Sequence, residues 1–278
     1  MHPRALPFAL AVVVLGAVAA DAEPPPPKTE RLLRDTVALS VNNIGLQNAL
    51  DLSWTRPITT SSNPLLREAH VSAGVTNIVT PSHVRLGVWA EMAPLSVFDV
   101  RIGAEPAAYY GTFGSLMSFS SYSDDFSGDA RKAREHQAAA GAAGRLYASP
   151  ALRARAGAIV FLASADFEWW WSSAPGPLFY EPARDTLLSV SGGRMLSVSG
   201  LALYGRARTF RPGLSYGLTS VPGAPANRIQ KVGGVFVRGL GHGEERRRLA
   251  ANVFYYLSDP SKRHQMGATL ALLIDGTR

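Results

Sequence analysis

From Asp35 onward, apolar side chains return at every second position over stretches of roughly nine to thirteen residues. His83 to Met92 sets Val84, Leu86, Val88, Ala90 and Met92 on one side of an extended chain and His83, Arg85, Gly87, Trp89 and Glu91 on the other. Phe98, Val100, Ile102 and Ala104 likewise oppose Asp99, Arg101, Gly103 and Glu105. Val37, Leu39 and Val41 repeat the design, as do Leu50, Leu52 and Trp54, then Val71, Ala73 and Val75, and Gly157 to Trp171 brings Phe161, Phe167, Trp169 and Trp171 onto one face. A period of two belongs to a pleated strand whose two faces meet different surroundings. Between such runs lie turn-forming clusters, including Thr80-Pro81-Ser82, Ala93-Pro94, Ser149-Pro150, Gly192-Gly193 and Asp259-Pro260-Ser261. With 26 glycines and 19 prolines spread among them, a helical bundle is excluded, since these residues cost about 1 and 3 kcal/mol each in a helix interior.

The length of the runs decides which kind of β protein this is. Strands of soluble proteins average about 5 to 6 residues, whereas a tilted strand needs about 9 to 11 to cross a bilayer. The composition of the second face agrees. In a soluble sandwich it would carry Lys, Glu, Asp and Gln toward water; here it carries Ser, Thr, Gly, Ala and isolated Arg, Asp or Glu. Only four of the 28 basic residues are lysine (Lys28, Lys132, Lys231, Lys262). That is the pattern of a barrel with lipid outside and a polar lumen inside. No segment after the first thirty residues is apolar enough for a helical span.

Those first residues form their own unit. Arg4 precedes an uncharged run from Ala5 to Ala20, and Ala20-Asp21-Ala22 has the small-x-small form of a cleavage site. This predicts a secretory signal peptide over 1–22. Residues 23–34, with Pro24 to Pro27 followed by a charged stretch, then read as a periplasmic lead-in and 35–278 as the barrel.

Alternation, strand length and leader together resemble bacterial outer-membrane β-barrel proteins as a class, without a motif of any one family. The resemblance implies a closed antiparallel up-and-down transmembrane barrel, all-β, of an even number of strands. Twelve is expected, with ten or fourteen as alternatives, and both termini are expected in the periplasm. Outer-membrane lipid is then the expected partner. Aromatics near predicted strand ends (Trp54, Tyr109, Tyr110, Trp169 to Trp171, Phe179, Tyr180, Tyr204, Tyr255, Tyr256) are candidates for the headgroup girdles. The longest insert, Tyr122 to Gly144, is charged and then Ala-rich; it reads as an extracellular loop, or as a segment folded inward to narrow a pore, with Ser127 or Asp129 capping a short helix.

Chemistry is sparse. The chain has no cysteine, which removes thiol catalysis and thiolate metal sites, and no metal-binding histidine spacing or cofactor motif appears. The Gly-x-Gly-x-Gly run at 239–243 precedes no helix of a phosphate-binding unit. Although the formal charge is +7, the arginines are scattered rather than clustered with aromatics, so nucleic acid is not an expected partner. What remains is a set of charges on the inward parity: Asp51, His70, Arg85, Glu91, Asp99, Arg101, Glu105, Arg153 and Arg155. Gathered at one depth, they would make an arginine-facing-carboxylate constriction; dispersed, they would pair and fill the lumen. The expected function is a passive pore for small solutes, preferring anions, or a structural barrel with a filled lumen, without enzymatic activity. Two alternatives stand beside it. One is a barrel hydrolase at the extracellular rim, for which Asp124, Asp125 and His136 form the least implausible acid-base group, with His242 a second candidate. The other is a soluble, secreted β-barrel or sandwich binder.

Overall fold

The computed structural model describes residues 29–42, 45–205, 210–240 and 247–277. The predicted signal peptide, the proline run and His242 lie outside them. The elements are β1 (Glu30–Val41), β2 (Gly45–Pro57), β3 (His70–Val79), β4 (His83–Leu95), β5 (Phe98–Tyr110), β6 (Ser118–Phe119), α1 (Gly128–Ala133), β7 (Ala140–Ala156), β8 (Ile159–Ser172), β9 (Leu178–Glu181), β10 (Thr186–Ser189), β11 (Gly193–Tyr204), β12 (Arg211–Val221), β13 (Ala224–Gly239), β14 (Arg247–Ser258) and β15 (Met266–Thr277).

Twelve of the strands close into one antiparallel barrel. Each pairs with the next in chain order (β5 with β7 and β8 with β11), and β15 returns to β1. At the closing seam Val37 stands opposite Leu272 and Ser40 opposite Thr269, so like faces meet and the alternation continues round the sheet without a slip of side. Closure leaves the barrel no unpaired edge, which is what lets a sheet sit in hydrocarbon. The predicted lead-in gives way to strand earlier than its composition suggests: β1 starts at Glu30, because Arg31 to Arg34 pair with Trp54 to Asp51 of β2. Two predicted turns are also strand interior. Ala93-Pro94 lies in β4, and Ser149-Pro150 lies in β7, where the pairing to β8 skips both residues; a proline has no N–H to donate to such a ladder.

The faces sort as the alternation requires. Leu86, Val88 and Ile102 are 58%, 58% and 56% exposed on the outer surface, whereas Arg85 and Glu105, one residue out of phase with this set, are 4% and 5% exposed. A solvent-facing sheet would be the reverse, so a soluble sandwich is not this fold. Six of the eleven candidate girdle residues face outward: Trp54 and Tyr204 toward the end that carries the termini, and Tyr110, Trp169, Trp171 and Tyr255 toward the opposite, far end. Tyr109, Trp170 and Tyr256 point inward and are buried, and Phe179 and Tyr180 are not in the wall at all. Proximity to a strand end locates a residue along the barrel axis, but the pleat decides its side.

Two long far-end connections, 111–139 and 173–192, fold into the barrel mouth rather than standing above it. Their short strands form a three-stranded sheet in the order β10-β9-β6. Together with the wall this plug makes one buried apolar cluster around Tyr109, Leu116, Trp170, Phe179, Leu188 and Met195, and by itself it makes a second around Met117, Phe119, Phe126, Leu178, Tyr180 and Leu187. The insert expected over 122–144 is therefore part of a longer inward-folded loop that ends earlier, since Ala140 to Gly144 belong to β7. Its helix α1 begins where Ser127 Oγ accepts from Ala130 N (3.4 Å).

Candidate functional site: the lumen

The lumen is built from two unlike walls. On β4, β5, β7 and β8 the inward residues are large and charged: Arg85, Trp89, Glu91, Arg101, Glu105, Tyr109, Arg145, Tyr147, Glu168 and Trp170. On β11 to β15 and β1 few are large and charged and many are small, among them Ser197, Ser199, Ser215, Gly217, Gly233, Thr269, Ala271, Ala38 and Ser40, with Lys231, Phe254 and Tyr256 as exceptions. Bulk on the first wall is fitted by glycine across the sheet. A Cβ on Gly74 would meet the Trp89 ring at 2.4 Å and one on Gly103 the Tyr147 hydroxyl at 2.5 Å, so each ring lies flat on its neighbouring strand.

The large wall holds the plug through a buried charge network. Arg145 donates to Glu105 from Nε (2.9 Å) and Nη2 (3.0 Å) and also to Glu168, which Arg184 and the Trp170 indole N–H (2.7 Å) reach as well. Arg85 donates to Glu105 (3.4 Å) and to Glu181 of the plug (3.2 Å), whose carboxylate takes further bonds from Tyr109 Oη (2.7 Å) and the Arg184 backbone N–H (2.6 Å). Three arginines thus face three glutamates, and the group is close to neutral. A second knot ties the β9–β10 turn: Asp185 accepts from Tyr180 Oη (2.6 Å), Arg131 (3.4 Å) and Lys262. Burial, with the Asp185 carboxylate close by, pushes the Tyr180 phenol well above its usual range, so it stays a donor.

The nine charges singled out from the sequence fall into groups at different depths. Arg85 and Glu105 join the plug network. Arg101 donates to Glu91 (2.8 Å), lies 3.9 Å over the Trp89 ring and stands 3.9 Å from Asp51; His70 Nε2 is 3.3 Å from the same Glu91. Asp99 pairs with Arg153 nearer the end with the termini, and Arg155 reaches the Gly157 carbonyl (3.1 Å) in the turn beyond. All nine belong to β2–β5 and β7, so they line one side and do not make a ring. Arg145, Glu168, Glu181 and Arg184 were not singled out. Parity marks Glu168, which alternates against Phe167 and Trp169; nothing local marks Glu181, which meets Arg85 across 96 positions of chain.

A Ser-His pair does occur in the mouth, with His83 Nδ1 3.0 Å from Ser82 Oγ and 3.1 Å from Thr80 Oγ1. Its polarity runs the wrong way for a nucleophile. Arg85 Nη2 lies 3.3 Å from His83 Nε2, and a guanidinium only donates. Nε2 therefore holds the lone pair, and the proton on Nδ1 is donated toward the hydroxyls. Asp124 and Asp125 are equally committed: Asp124 accepts from the Ser121 and Ser120 backbone N–H groups and Asp125 from that of Ser127, which hold both carboxyls below their usual range. Among the described residues no group of three or more His, Asp or Glu could hold a metal ion.

Beside the plug, along the small wall, two cavities follow one another. One of about 920 Å³ opens among the far-end loops and runs down past Ser40, Gln47, His83 and Tyr180. The other, about 670 Å³, lies among Ser164, Ser199, Ser215, Val235 and Asn252. Lys231, Phe254 and Thr269 border both.

A closed twelve-stranded antiparallel barrel, apolar outside and polar within, defines this chain as a β-barrel of the outer-membrane type. Its fold is similar to the NanC porin (10% identity, 88% of this chain and 99% of that one, TM-score 0.44). It is also similar to the β domain of the Bordetella autotransporter BrkA (12%, 88% and 98%, 0.42) and to an outer membrane channel from Pseudomonas putida F1 (11%, 92% and 100%, 0.40). No protein-family model and no curated protein matches the sequence.

Proposed function

We propose that the protein is a narrow, anion-preferring pore of a bacterial outer membrane, exported by its leader, with both termini in the periplasm and the plug facing outward. The observation that supports this reading is the pair of adjoining cavities along the small wall, which share Lys231, Phe254 and Thr269 and run beside the plug. On the large wall arginine and carboxylate neutralise each other, and of the cations bordering the two cavities Arg131 is held by Asp185 and Arg153 by Asp99, which leaves Lys231 and Lys132 against Glu135. Such an excess of fixed positive charge at close quarters favours anions. In this reading the protein is not an enzyme, and the His83 tautomer supports that. Its partners are the surrounding lipid and small anionic solutes.

Planar-bilayer recording under a KCl gradient tests the proposal. Purified protein is expected to give a small steady conductance with a reversal potential on the chloride side, and Lys231→Glu to move it toward potassium. Silence at every voltage would favour the second reading, a structural barrel with a filled lumen, for which the buried network that fixes the plug is the supporting observation.

A further inference from the structure

We infer that Lys231 and its surroundings form a binding site for a small monocarboxylate with a compact apolar body. The inference deepens the pore reading and rests on it for the ligand's route of access. Lys231 stands on β13 between Gly217 of β12 and Tyr256 of β14, at the border of the two cavities. Its ammonium lies 5.0 Å from the Phe254 ring and 4.8 Å from the Tyr256 ring. Among the described residues it makes no ion pair and no hydrogen bond. A Cβ on neighbouring Gly217 would meet nothing within 4 Å, so open space begins beside it. Asp185 and Asp259, and Lys262 and Arg184, act on it from farther away. Asp185 is already held by Tyr180, Arg131 and Lys262.

A half-buried ammonium with three N–H donors and no acceptor of its own is an incomplete arrangement. The aromatic faces shield it from bulk water but supply no lone pair, and an anion arriving through the cavity does. Having one cation and no second one in contact favours a single negative charge over a dianion. Val235 and the Phe254 ring border the adjoining space and suit an apolar body, while Ser215 and Asn252, hydrogen-bonded to each other at 3.0 Å, form its polar edge.

The test is calorimetric titration of the folded protein in detergent with benzoate, and with neutral benzamide of the same shape. Benzoate is expected to bind at least tenfold more tightly than benzamide. Lys231→Met should weaken benzoate at least tenfold, Lys231→Arg should retain most of the affinity, and Val235→Phe, which fills the apolar side and leaves the charge, should weaken it too. Heat-modifiable gel migration checks that each variant is folded; if Lys231→Met fails, Lys231→Gln and Val235→Phe carry the comparison. Equal binding by wild type and Lys231→Met, or of benzamide and benzoate, overturns the site. Chloride conductance without charge-dependent benzoate binding sinks this inference and leaves the pore; benzoate binding without conductance does the opposite.

Discussion

At the residue scale, burial separates arginines that hold the structure from arginines that decorate it. Glu168 has a fully buried side chain contacted by two guanidiniums, whereas the side chain of Arg153, paired with Asp99, is 47% exposed. Breaking a buried pair leaves a charge without compensation and costs about 3 to 5 kcal/mol, while an exposed pair contributes about 0 to 1 kcal/mol. Glu168→Gln, which leaves Arg184 without a carboxylate and Arg145 with Glu105 alone, should therefore lower the denaturant midpoint of the refolded protein markedly, and Arg153→Ala should leave it nearly unchanged. Equal effects on unfolding curves would mean that the charge network is not buried as described. The same contrast explains what the sequence reveals at this scale. Inward parity identifies Arg85, Glu91, Arg101 and Glu105 as lumen charges, but pairing across 96 positions leaves no local mark on Glu181, and Arg184, whose partner Glu168 is 16 positions away, lies in a turn with no alternation to place it.

At the element scale, the long strands were legible and the short ones were not. A run such as His83 to Met92 repeats its alternation often enough to show both the strand and its lipid side. β6, β9 and β10 are two to four residues long, too short for a period to register, and their burial comes from the barrel around them. Hence the second inward-folded connection, 173–192, was not expected, and the first was expected chiefly as an external loop. Because the plug is added to a wall that closes through its own ladders, replacing residues 177–190 with two glycines should leave heat-modifiable migration intact. The same change should raise conductance several-fold. Loss of the folded band in the shortened protein would instead make the plug part of what holds the wall together.

At the scale of the whole molecule, the asymmetry of the lumen is itself written in the sequence. Inward positions of β4 to β8 carry Trp, Tyr, Arg and Glu, and those of β11 to β15 carry few of these and more Ser, Gly, Thr and Ala. Alternation alone does not say where the plug will dock, yet bulk on one wall and small residues on the other leave the free volume on the small side. All of this depends on which face of the pleat meets lipid. The chain lacks cysteine, so single cysteines can be placed at Val88, Ile102, Ser199 and Thr269 and labelled with an environment-sensitive fluorophore in bilayers containing brominated lipid. Labels at positions 88 and 102 should be quenched by the lipid, and those at 199 and 269 should escape it and remain open to a water-soluble quencher. Lipid quenching at 199 and 269, with 88 and 102 protected, would turn the barrel inside out and contradict the account.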